Sequence, residues 1–152
     1  MIDMLPMIPE AEHIKKEMIL RNMALPDEVR LTRKSLVRWI ALSLGLISPN
    51  ETRTIVIDVL DVLLDEFSRE KKPTTKEIHL AVQKKRKDDV CEKTIYYHLQ
   101  RLAAMGLLQR EKGQYFISKD KEKLKDSVRK VYAREFDEAF EKIGKALDTI
   151  EK

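Results

Sequence analysis

The sequence predicts a mainly α-helical chain with one small β-wing: a helix-turn-helix core flanked by N-terminal helices and a long C-terminal helix. Three observations carry this. The run Thr74–Ile117, TTKEIHLAVQKKRKDDVCEKTIYYHLQRLAAMGLLQREKGQYFI, sets helix starts, apolar faces and turn residues in close succession. Only four glycines and five prolines occur in 152 residues, which favours helices joined by short connections. Residues 119–150 contain no proline and a single glycine, and their apolar residues recur at helical spacing.

Residues 10–24 (EAEHIKKEMILRNMA) predict a short amphipathic helix with Ile14, Met18 and Met23 on its apolar side, ended by Pro26-Asp27. Five of the six methionines precede residue 24, and such adaptable side chains are expected to pack on the body or on a second copy. Ser35–Ile47 is strongly apolar around Trp39 and reads as a buried helix. Ser48-Pro49-Asn50-Glu51 joins a capping-box Ser and Glu to a proline at the first helical position, predicting a helix from there to about Arg69. The β-branched run Thr54-Ile55-Val56-Ile57 alone would suggest a strand. Asp58, Asp61 and Asp65 decide for helix, because steps of three and four place one acidic stripe opposite an apolar face.

Lys71-Lys72-Pro73 is a connector. Thr74 with Glu77 then signals a helix start, and Ile78, Ala81 and Val82 give that helix its buried face. A second helix, at about 92–105, buries Ile95, Leu99, Leu102 and Ala103 and stops at Gly106. Leu107 and Leu108 lead into a strand, Lys112-Gly113 supplies the turn, and Tyr115–Ile117 return, a wing over 108–117. Helix, helix, helix and hairpin in this order make a winged helix-turn-helix at 51–117. Residues 1–50 then form an N-terminal helical extension, and 118–152 a C-terminal dimerisation helix. From Phe136 the apolar steps are four, three, four, three, a heptad seam. A helix of about thirty residues is roughly 45 Å long, too long to bury its stripe on so small a domain. Pairing with a second copy through Val128, Tyr132, Phe136, Phe140, Ile143, Leu147 and Ile150 is the expectation; folding back on the N-terminal helices is the alternative.

The net charge of +4 conceals its distribution. Residues 48–70 sum to −4 and residues 71–117 to +6, while the two flanks are near neutral. Positive charge on the helix-turn-helix and its hairpin is what phosphate-backbone binding requires. The tetrad Lys84-Lys85-Arg86-Lys87 reads equally well as a solvated helix end, where cations suit the dipole.

On the second helix of the motif, Lys93, Thr94, Tyr96, Tyr97, Gln100 and Arg101 face outward once the buried set is assigned. Their chemistry suits a major groove: Lys93 and Arg101 for phosphate or guanine, Gln100 for adenine, Thr94 for base or backbone. One of the two tyrosines is expected to pack into the core with only its hydroxyl exposed. Arg110, Lys112 and Gln114 surround the hairpin turn, and Thr74, Thr75 and Lys76 begin the preceding helix, where a phosphate could meet free N–H groups. Glu92 and Glu111 fall in the same surface and oppose phosphate.

The segment Val90–Gly113 (VCEKTIYYHLQRLAAMGLLQREKG) resembles the helix and wing of bacterial and archaeal winged-helix transcriptional regulators of the ArsR-like group. The matching residues are Thr94, Ile95, Tyr96, Tyr97, His98, Leu99, Gly106 and Leu107, and the resemblance spans about Ile55–Ile117. It implies sequence-specific binding of double-stranded DNA by a homodimer, with Lys93, Thr94, Tyr96 and Tyr97 at the reading positions. Cys91 departs from the pattern by standing where the group usually places a Ser or Thr cap.

Catalytic material is sparse. His13, His79 and His98 lie far apart without metal-ligand spacing, and no phosphate-binding glycine loop or nucleophile elbow occurs, so neither an enzyme nor a cofactor or metal is expected. Cys91 alone excludes an internal disulfide, no run of eighteen apolar residues exists, and residues 1–13 do not read as a signal peptide. A cytoplasmic regulator that binds DNA is the expectation. The rival is a non-catalytic protein-interaction module using the acidic stripe and the heptad seam. A weaker third reading is an effector-gated repressor with a ligand pocket between the N- and C-terminal helices around Trp39, and a thiol sensor at Cys91 is a minor one.

Overall fold

The computed structural model describes residues 7–152. Five α-helices and one hairpin follow in the order α1 (Arg33–Ser43), α2 (Ile55–Ser68), α3 (Thr75–Arg86), α4 (Glu92–Ala104), β1 (Gln109–Glu111), β2 (Gln114–Phe116) and α5 (Leu124–Glu151). The fold is therefore mainly helical, with a two-stranded antiparallel sheet and a long C-terminal helix. No helix of the described residues is long and apolar enough to cross a membrane.

Local chemistry explains the central elements. Thr74 Oγ1 accepts from Glu77 N–H at 3.2 Å while the Glu77 carboxylate accepts from Thr74 N–H, the reciprocal cap expected from the sequence. Between α3 and α4, His79 Nε2 hydrogen-bonds to the Val90 carbonyl and Gln83 Oε1 accepts from Val90 N–H, which fixes the turn. Past α4, Gly106 takes φ +87°, a conformation that costs glycine little. Lys112 and Gly113 both have positive φ, the geometry of a type I′ hairpin turn, and pair Glu111 with Gln114, Arg110 with Tyr115 and Gln109 with Phe116. Tyr115 N–H donates to Pro73 O at 2.8 Å and Thr74 bridges Gln114, so the connector before α3 is tied to β2 by an isolated antiparallel bridge.

One apolar core runs from Val37, Ala41 and Leu46 through α2 (Val59, Leu63), α3 (Ile78, Val82) and α4 (Ile95, Leu99) to Tyr115. The division expected at residues 50 and 51 thus crosses a continuous core.

Four ranges differ from expectation, each for a physical reason. The helix expected at Ser35–Ile47 is α1, which starts at Arg33 under the Thr32 cap and ends at Ser43, shortly before Gly45 at φ +69°. Residues 10–24 are not a helix: a 3-10 turn at Pro9–His13 leads into an extended strap. The strap gives up its own ladder to satisfy the C-terminal carbonyls of α1, which a helix end leaves open. Arg21 N–H donates to Ser43 O at 2.8 Å, its guanidinium reaches Leu42 O and Ile47 O, and Trp39 Nε1 donates to Ala24 O. The capping box at Ser48 does not form either. Ser48–Glu51 closes a turn, and Glu51 turns forward to accept from Arg53 N–H, so α2 begins only at Ile55. In α5, helix starts at Leu124 rather than 119, because Ser118 Oγ accepts from Asp120 N–H and holds a turn there.

Behind α2, the strap, α1, the end of α4 and α5 enclose an open apolar cavity of about 1110 Å³, lined by residues including Met18, Leu36, Ile40, Leu64 and Val128. The cavity lies between the N-terminal segment with α1 and the first half of α5, and Trp39 itself is not among its lining residues.

Candidate nucleic-acid interface

The buried side of α4 is set by Ile95, Leu99 and Leu102, and His98 joins them at 3% exposure. This leaves Lys93, Tyr96, Tyr97 and Gln100 exposed and Thr94 and Arg101 half-buried at the edges of the outward face. Tyr96 and Tyr97 are 37% and 52% exposed, so neither enters the core as expected of one of them; the buried tyrosine is Tyr115 on β2. Core volume next to the hairpin is already filled by that ring, and the α4 pair remains available for contact.

Polar and cation–π contacts organise the face. Gln100 Nε2 donates to Tyr96 OH at 2.8 Å, and the Arg101 guanidinium lies 6.0 Å from the Tyr97 ring centroid. Arg110, on β1, stands 5.6 Å from the Tyr96 ring and 5.3 Å from the Tyr115 ring, joining hairpin to helix in one surface. Lys112 and Gln114 are exposed at the hairpin tip. Thr75 shares a 3.1 Å hydrogen bond with Tyr115 OH and is half-buried, whereas Lys76 beside it is exposed. The structure thus gathers α4 and the hairpin into one face and gives Thr75 a structural contact.

Of the two carboxylates that the sequence places in this surface, one is engaged. Glu111 pairs with Lys119 at 2.8 Å, and that hydrogen bond holds its carboxyl below the ordinary value. Glu92 is exposed in the first turn of α4, where a negative charge suits the helix dipole.

Two of the four cations in the basic tetrad, Lys85 and Arg86, are engaged by α2, while Lys84 and Lys87 stay exposed. Arg86 reaches Asp58 at 2.7 Å, and Lys85 and Arg33 both bind Asp61, so the acidic stripe of α2 pairs with the end of α3. Burial alone would raise the Asp61 carboxyl, but the hydrogen bonds from Lys85 and Arg33 hold it below its ordinary value. Sequence reading offered phosphate or solvent as partners for Lys85 and Arg86; the partner is the neighbouring helix. The same pairing occupies Asp58 and Asp61 as a docking stripe.

His98 is displaced downward in pKa, first by burial and then by the charges of Arg101 and Arg53. Its ring meets the Tyr97 ring edge-on at 5.4 Å. Cys91 is exposed at the N-cap of α4 and makes no side-chain cap bond. No group of three or more His, Cys, Asp or Glu able to hold a metal ion occurs among the described residues.

Residues missed at the sequence level lie before α2. Thr52, Arg53 and Thr54 come alongside Lys93, Thr94 and Tyr97 at the start of α4. The available signal was a Thr-Arg-Thr triplet, masked by the expectation that these residues were already helical.

Comparison of the chain with protein-family models, curated proteins and solved structures finds no match.

Proposed function

We propose that the chain is a winged helix-turn-helix protein that binds double-stranded DNA sequence-specifically as a homodimer and regulates transcription. One observation supports this above others. The outward face of α4, with Lys93, Tyr96, Tyr97 and Gln100 exposed, is continuous through Arg110 with a hairpin carrying Lys112 and Gln114. Its residue types are those that neutralise phosphate and read base edges. In this reading the N-terminal half of α4 enters the major groove, and the hairpin follows the flanking backbone or minor groove. Two-fold symmetry implies half-sites one or two helical turns apart, each roughly 34 Å. The ArsR-like resemblance points the same way.

The test is a gel-shift titration with random and genomic DNA at two salt concentrations. Binding should weaken with salt, and Lys93→Ala or Arg101→Ala should each reduce affinity and, for a phosphate contact, lower the salt slope by about one. If the double variant keeps both affinity and slope, α4 is not the reading helix. The second reading is a non-catalytic interaction module within a transcription, replication or segregation assembly. It draws on the exposed seam of α5, described below, since Asp58 and Asp61 are engaged internally. Absence of DNA binding even at low salt would favour it.

A further inference from the structure

An open cleft of about 530 Å³ lies between the loop before α2 and the first turns of α4, lined by Arg53, Thr54, Arg86, Lys93, Thr94 and His98 among others. We propose that this cleft seats a phosphate group, and that in the DNA complex it holds one backbone phosphodiester beside the groove that α4 enters. The second half of this statement rests on the function proposed above.

Two independent features point to an anion. The first is the start of α2, a helix of fourteen residues whose N-cap Thr54 makes no side-chain cap bond. Ile57 and Asp58 N–H both donate to Thr54 O, which leaves Ile55 and Val56 as first-turn donors without a carbonyl partner. Thr54 has helical rather than extended backbone (φ −91°, ψ −16°), so its Oγ1 does not turn back to cap them and instead accepts from Arg86 Nη1 at 3.0 Å. Such an end, with its partial positive charge, is an anion site awaiting a ligand.

The second feature is unsatisfied polarity. Among the described residues, two buried side-chain polar atoms have no hydrogen-bond partner, Arg86 Nε and His98 Nδ1, and both residues line this cleft. Arg86 Nε is ion-paired with Asp88 Oδ1 at 3.5 Å, so the group left without any partner is His98 Nδ1. His98 is only 3% exposed, and an unpaired nitrogen buried to that degree carries a desolvation cost.

The surrounding donors favour phosphate. Arg53 and Lys93 are exposed cations, and Thr52, Thr94 and Tyr97 add hydroxyls that can donate to further oxygens. Glu51, whose charge also reaches His98, is turned to Arg53 N–H, and Asp58 is held by Arg86. His98 is depressed first by burial and then by the charges of Arg101 and Arg53, with Glu51 acting against them, so cationic charge reaches the cleft beside it. Because Lys93 and Thr94 also belong to the outward face of α4, a phosphate here would lie on the path of a DNA strand flanking that helix.

The test has two arms, both on the full chain. In the first, inorganic phosphate is titrated at neutral pH and followed by NMR, with sodium chloride at matched ionic strength as control. Saturable shifts are expected at the Ile55 and Val56 amides and the His98 imidazole; they should vanish in Arg53→Ala and persist in Arg53→Lys. Equal shifts from chloride, or unchanged shifts in Arg53→Ala, would overturn the seat. In the second arm, the salt dependence of DNA binding is compared between wild type and Arg53→Ala. Loss of one phosphate contact should reduce the slope by about 0.9, and an unchanged slope would overturn the backbone assignment. A phosphate response in a chain that binds no DNA at any salt would leave the seat standing as a free-phosphate site and sink the DNA reading instead.

Discussion

Asp61 and His98 show what single buried groups contribute here. Asp61 is 7% exposed in the middle of α2 and is stable as a carboxylate only because Arg33 and Lys85 converge on it. Asp61→Asn keeps the shape and removes the charge, so the loss is that of charge-assisted hydrogen bonds, about 1–3 kcal/mol. Urea denaturation at neutral pH measures it, and an unchanged midpoint would mean the pairs are solvent-screened ornaments. Acid sensitivity follows from the signs of the shifts. The Asp61 carboxyl lies below its ordinary value, so its contribution is present above the unfolded carboxylate range and lost as pH falls through the folded pKa. His98 lies below its ordinary value because of burial and then of Arg101 and Arg53, while the charge of Glu51 acts against them. The unfolded state therefore takes up the proton first, and stability should decline as pH falls from 7.5 to 5.5. Denaturation at those two pH values should show this decline in wild type and a smaller one in His98→Gln. Equal declines would assign the effect to other groups.

At the scale of elements, what was legible in the sequence is what is decided locally. The cap of α3, the stop at Gly106 and the Lys112-Gly113 turn each reside within a few residues, and their geometry follows from those residues alone. The strap and the start of α2 are decided by distant partners. Nothing within residues 10–24 announces that Arg21 will serve the carbonyls of Leu42, Ser43 and Ile47, and a helical pattern there is outweighed by that demand. The same holds for the site: the outward set on α4 could be read from periodicity, whereas the approach of Arg53 to Lys93 depends on how α2 enters the core. The strap also yields a prediction. Gly45 has φ +69°, and a Cβ placed there would come within 2.3 Å of Ile19 Cβ. Gly45→Ala therefore combines backbone strain with a collision against the strap, at a cost of roughly 1–3 kcal/mol. The single hydroxyl proton of Tyr132 is shared between Ile19 O and Leu44 O, each 3.1 Å away, so displacement of the strap should also loosen the first half of α5. Hydrogen exchange should show faster exchange at Arg21 and in α5 near Tyr132. A variant as stable as wild type with unchanged exchange would mean that the strap adds little.

For the molecule as a whole, α5 poses the question of assembly. Its 28 residues amount to about 42 Å of helix. The first half belongs to this chain: Val131 is buried, Val128 packs against the core, Tyr132 bonds to the strap and to α1, and Glu135 pairs with Lys16 at 2.8 Å. Val128 and Tyr132 thus have partners within the protomer, which moves the weight of any pairing onto the second half. There Phe136 and Phe140 stack at 5.5 Å in the open, and Phe140, Ile143 and Leu147 are each about half exposed. An apolar stripe of this length on a solvated helix marks a contact surface. Phe136 and Ala139 both line the apolar cavity and head the free stripe, so a second copy laid along α5 would cover both. Phe140→Asp with Leu147→Asp changes only exposed positions, leaving the core and the α4 face intact. By light scattering, wild type is expected at twice the 17.8 kDa of one chain and the double variant at one chain's mass. Circular dichroism should stay helical in both. DNA affinity should fall in the double variant as dimerisation is lost, because a monomer reads one half-site while the dimer gains the effective concentration of the second. A wild type that stays monomeric at tens of micromolar would remove the self-pairing of α5. A double variant that stays dimeric would place the interface elsewhere, with the strap as the next surface to probe.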